Sequence, residues 1–92
     1  SRYIRAWQVM ARVTSCAPDC MALCTLNNKF ARGDELELVG PNVRPVAFRA
    51  EDLRDGEGSP ISEARKPQMS FYLRLPVQAP PLSVLRKKAV GL

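Results

Sequence analysis

Apolar and polar residues alternate with period two along much of this chain. In Glu35–Val39 the order Glu-Leu-Glu-Leu puts Leu36 and Leu38 on one face and Glu35 and Glu37 on the other. That is the pattern of a strand with one side in a core and one in water, so Glu35 and Glu37 are expected in solvent. Trp7–Thr14 alternates too, with Trp7, Val9, Ala11 and Val13 on one face and Gln8, Met10, Arg12 and Thr14 on the other. Val43–Ala50 sets Val46, Phe48 and Ala50 against Ala47 and Arg49, and Pro45 suits an edge strand or a late strand start. Met69–Leu75 sets Met69, Phe71, Leu73 and Leu75 against Ser70, Tyr72 and Arg74, and Pro76 ends it.

Turn residues separate these runs. Asn27-Asn28-Lys29, Gly33-Asp34, Gly40-Pro41-Asn42 and the glycine-rich Asp55–Pro60 each punctuate the pattern. Two segments read both ways. Cys20–Leu26 contains helix formers behind Pro18, but it is short, and a hairpin with Trp7–Thr14 gives the next strand an antiparallel neighbour. Leu82–Lys88 is either a closing strand or a frayed tail, and Glu51-Asp52-Leu53 suits a single helical turn. The hairpin reading gives about six short strands, hence an all-β chain folded as a small closed or partly open antiparallel β-barrel.

Ninety-two residues make one domain, able to bury roughly 60–65% of its unfolded surface. Eight prolines fall mostly between the apolar runs, which favours short strands over helices. Three cysteines, an odd number, argue against a secreted disulfide framework, and no apolar run is long enough to span a bilayer as a helix. The expected setting is cytoplasmic, with no membrane partner. The start at Ser1 reads as that of a domain excised from a longer protein, with residues 1–6 a lead-in and 89–92 a tail.

Candidate chemistry is sparse. Cys16, Cys20 and Cys24 are spaced four apart, but three thiols without histidine fall short of a zinc or iron–sulfur ligand set. They read as packing or turn residues, with a Cys16–Cys20 bridge the alternative across the turn. With no histidine the commonest general base is missing, Asp34 beside Gly33 reads as a turn residue, and Gly56-x-Gly58 lacks the Lys-Ser/Thr of a phosphate loop. No catalytic, cofactor-binding or metal residue is therefore assigned. The net charge of +5 leaves contact with a polyanion open, and Arg12, Arg49, Tyr72 and Arg74 are the candidate contacts to RNA or a partner. One continuous basic face holding Arg12, Arg49 and Arg74 would favour RNA; scattered charge around an exposed apolar patch would favour protein docking.

The blocks Asn28-Lys29-Phe30-x-x-Gly33-Asp34-Glu35-Leu36-Glu37, Gly40-Pro41, Asp55-Gly56-Glu57-Gly58-x-Pro60-Ile61, Ala64 to Pro67 and Leu85-Arg86-Lys87 occur in that order. Together they resemble the C-terminal domain of the peptidase U-32 family, the collagenase-like proteases, several of whose members are RNA base hydroxylation proteins. The chain departs in carrying Lys66 where the family often has histidine before the proline, and in its cysteine-rich hairpin. The resemblance implies a β-barrel akin to the second domain of translation elongation factors, following a catalytic (β/α) barrel that carries the cluster-binding cysteines and the chemistry. It implies an accessory domain without enzymatic activity or cofactor of its own. Its partners would be its own N-terminal catalytic domain, which it would brace, or RNA, whose positioning it would assist; the alternative is a protein- or peptide-docking module.

Overall fold

A computed structural model describes residues 5–41 and 43–90, in which the alternation becomes nine β-strands and no helix. They are β1 (Arg5–Cys16), β2 (Met21–Leu26), β3 (Phe30–Ala31), β4 (Glu35–Gly40), β5 (Val43–Arg49), β6 (Leu53–Asp55), β7 (Glu63–Ala64), β8 (Ser70–Arg74) and β9 (Val84–Val90). Seven form one antiparallel sheet in the order β5-β4-β9-β1-β2-β8-β6, which curls into a partly open barrel, and β3 pairs with β7 apart from it. The six expected strands are present. β3, β6 and β7 are additional, each too short to show a period, and the helical turn expected at Glu51-Asp52-Leu53 is instead the entry to β6.

The segment Cys20–Leu26 is a strand hairpinned to β1, with Ala22, Cys24 and Leu26 inward. Its turn closes through the Cys20 N–H donating to the Ala17 carbonyl at 2.9 Å and the Ala17 N–H donating to Met21 at 3.0 Å. The neighbour expected for β4 was this strand; β4 instead lies between β5 and β9. The C-terminal run is no frayed tail. β9 sits between β4 and β1 and runs to Val90, into the expected tail, as β1 begins at Arg5 inside the expected lead-in. β5 is an edge strand, which accommodates Pro45, and the register slips there between Leu38 and Gly40 on β4.

One local irregularity reverses a sequence-based expectation. Val9 pairs with Arg86 and Ala11 with Leu85, so Met10 is an extra residue in β1, a β-bulge. A bulge shifts the two-residue phase. Met10, Ala11 and Val13 are buried, while Trp7 and Val9 turn outward and remain 43% and 39% exposed. Trp7 and Val9 therefore do not share the inward face with Ala11 and Val13.

The core is one cluster to which both sheets contribute. Leu36, Leu38, Leu53, Phe71, Leu73 and Leu85 come from the large sheet, and Phe30 and Ala64 from the small one. Phe30 meets Phe71 edge-on, with ring centroids 5.5 Å apart. All three cysteines are free thiols, so no Cys16–Cys20 bridge forms; Cys24 belongs to the core. No helix among the described residues is long and apolar enough to cross a membrane.

Candidate partner-binding surface

The first half of β1 has fewer neighbours than the second. Arg5 to Val9 pair only with β9, because β2 joins β1 from Ala11 onward. β9 likewise pairs with β4 only from Val84 to Arg86, so its last residues face β1 alone. The result is a two-stranded ribbon overhanging the barrel, an element that is marginal in water by itself. Trp7 stands on it. The Arg86 guanidinium lies 3.9 Å from the Trp7 ring centroid and the Lys88 ammonium 5.7 Å away.

Arg86 is itself held from the neighbouring strand, its Nε donating to Glu37 Oε1 at 2.7 Å. Glu37 is thus on the outer face as expected but engaged by Arg86 rather than left in solvent, and Glu35 lines the same shallow cleft with Trp7 and Lys88. Glu37 neutralises Arg86 and Glu35 pairs with Arg49, so of the two cations beside Trp7 Lys88 has no acid partner among the described residues. The patch presents an immobilised Arg–Trp pair, the composition of interface hot spots, with one unpaired cation beside it.

The four residues expected as contacts do not come together. Arg49 and Arg74 line one shallow cleft with Phe48 and Pro76, and both are paired: Arg49 with Glu35 at 3.5 Å, and Arg74 through Nε with Asp52 at 3.2 Å. Arg74 also donates to the Asp19 carbonyl at 2.7 Å, tying β8 to the β1–β2 turn. Tyr72 is half-buried between Leu23 and Arg54 in the sheet register. Arg12 lies elsewhere, in a groove of about 850 Å³ with Thr25, Asn27 and Leu82, and forms no ion pair among the described residues.

The acids and thiols serve local structure. Asp34 Oδ2 accepts from the Ala31 N–H at 3.0 Å and from Lys87 Nζ at 3.2 Å, which together hold its carboxyl below the ordinary value. The side chains of Arg54 and Arg74 hold Asp52 down in the same way. Burial, and to a lesser degree the neighbouring Cys16, push the Cys24 thiol up to about 12, which keeps it protonated and unreactive. Among the described residues, no three His, Cys, Asp or Glu side chains gather as metal ligands. The sequence reading missed the outward Trp7. The signal for it was Val9-Met10-Ala11, three apolar residues in succession within an alternating strand, which requires either a bulge or an apolar residue on the wet face.

The sequence model described as the peptidase family U32 C-terminal domain matches residues 5–86. No curated protein matches the chain. Among solved structures, the selenomethionine variant of the C-terminal domain of a Geobacillus thermoleovorans protein assigned to the U32 peptidases superposes with a TM-score of 0.83 at 25% identity, over 87% of this chain and 99% of that one. A second crystal structure of that C-terminal domain gives a TM-score of 0.82 at 23% identity, over 89% and 92% of the two chains.

Proposed function

This chain belongs to the peptidase family U32 C-terminal domain family, and from that premise we propose that it is a non-catalytic accessory domain that docks onto the catalytic part of a U32 protein and braces it. The observation that supports docking is the overhanging β1–β9 ribbon, with Trp7 exposed on it and Arg86 fixed over the ring. A two-stranded ribbon gains stability when a further surface packs on it. An aromatic held by an immobilised guanidinium loses little side-chain freedom when that happens. The chemistry of the parent, whether peptide hydrolysis or RNA hydroxylation, belongs in this reading to the partner domain.

A second reading, assistance in positioning RNA, is favoured by the charge that ion pairs leave over. Arg12, Lys29, Arg32, Arg44, Lys66 and Lys88 make no ion pair with described acids.

Trp7 is the sole tryptophan of this chain, so the emission of the mixture minus that of the partner alone reports docking. Titration with the separately prepared catalytic part of a U32 protein is expected to shift that emission to the blue. Trp7→Ala should weaken the complex by about 30-fold, the usual mark of a hot spot, with the fold retained. Unchanged emission with no complex at micromolar concentrations would refute docking through this ribbon.

A further inference from the structure

The groove that holds Arg12 carries two strained backbone positions on its rim. Two of its rim residues, Gln68 and Leu82, are among the few non-glycine residues with positive φ, at 66° and 76°. Each is the third residue of a tight turn whose second residue is proline. The Met69 N–H donates to the Lys66 carbonyl at 3.1 Å across Pro67-Gln68, and the Ser83 N–H donates to the Pro80 carbonyl at 3.3 Å across Pro81-Leu82. Such turns take glycine or asparagine at the third position, because a Cβ there is strained. Leu82 carries that strain and is also 82% exposed, so the barrel gains no burial in return. A strained and exposed aliphatic side chain on the rim of a groove is a candidate for contact outside the fold.

The lining defines what fits. Arg12 is the one charged side chain in the groove, and no acid lines it. Thr14, Thr25, Asn27 and Gln68 add hydroxyl and amide groups suited to a peptide backbone, while Val9 and Leu82 offer aliphatic surface at the rim. The groove follows β1 from Val9 to Thr14, a distance of roughly 17 Å in extended chain, room for about five residues. A single cation among neutral donors is too little for a phosphate backbone and suits one carboxylate.

We propose that this groove is a docking site for an extended peptide segment of a partner protein that pairs a carboxylate with Arg12 and lays an aliphatic side chain against Leu82. Trp7 does not line this groove, which meets the ribbon only at Val9, and the proposal stands whether or not the ribbon docks a catalytic domain.

The test is selection of displayed random octapeptides on the whole chain, followed by mapping of the selected peptides from backbone amide shifts. The expected peptides combine Asp or Glu with a nearby aliphatic residue and shift Arg12, Thr25, Gln68 and Leu82 but not Trp7. Arg12→Ala should weaken them about tenfold. Leu82→Gly should weaken them while raising the melting temperature, a combination that a purely structural role for Leu82 excludes. Four outcomes overturn the proposal: no selected peptide, peptides that map to the Trp7 ribbon alone, affinity indifferent to both substitutions, and displacement of the peptides from Arg12 by a uridine octanucleotide of higher affinity.

Discussion

Cys20 occupies a left-handed conformation, φ 71°, at the end of the β1–β2 turn. A hairpin of this kind ordinarily places glycine there, and an L side chain in that region costs about 1–2 kcal/mol. Its carbonyl accepts from the Leu75 N–H at 2.8 Å, which any residue would allow. Cys20→Gly is therefore expected to stabilise the domain by about 0.5–1 kcal/mol after glycine's own entropy cost, a rise of several degrees in melting temperature. Thermal unfolding followed by circular dichroism decides it, and a fall would show that the thiol itself packs usefully. Asp34 gives the pH dependence. Its folded carboxyl, held down first by the Ala31 N–H and then by Lys87, titrates below the ordinary value of 3.8. Stability from this group is thus complete above that value and lost as pH falls through the folded one. Asp34→Asn should lower the melting temperature at neutral pH and flatten its decline in acid; an equal decline in both proteins would assign acid sensitivity to other carboxylates, Asp52 first.

Strands were legible where side chains alternate over five residues or more, as in β4 and β8, because the period itself carries the information. What was not legible follows from the pairing. β9 reads ambiguously as Leu-Arg-Lys-Lys, yet it lies between β4 and β1, where Leu85 enters the core and Arg86 and Lys87 find Glu37 and Asp34. Those acids lie about fifty residues earlier in the chain, at a distance that no local pattern spans. The entry to β9 is set by Gly40 at the end of β4. A Cβ on Gly40 would run into the Oγ and stand 3.0 Å from the Cβ of Ser83, which is fully buried and donates to the Pro80 carbonyl at 2.7 Å. Gly40→Ala should cost about 1–3 kcal/mol by overpacking. Adding Ser83→Ala removes the nearer atom and should recover part of that loss, a coupling that urea denaturation of the two single variants and the double variant measures. Strict additivity would mean that β4 and β9 shift apart freely.

Over the whole molecule, the net charge of +5 says less than where the charges lie. The sequence supplied Arg12, Arg49 and Arg74 as one candidate set, but the sheet order separates them. Arg49 on β5 and Arg74 beyond β2 share a cleft in which each is matched by an acid, and Arg12 on the central β1 stands in a different groove. Composition gives the sum of charge; only pairing tells how much of it is still available to a ligand. Here Asp19, Asp34, Glu35, Glu37, Asp52 and Glu63 all engage cations. Titration with bulk transfer and ribosomal RNA across salt concentration separates the two readings of function. Each phosphate neutralised contributes roughly 0.7 to the slope of log affinity against log salt for a single strand. With the arginines of the shared cleft neutralised by acids, the expected slope is shallow, below about 1.5, and binding at physiological salt is weak. A slope of about 3 or more would require several of the unpaired cations to act on one strand at once. It would move the preferred reading from docking on a protein to positioning RNA, and Arg12→Ala with Lys66→Ala would then have to lower that slope.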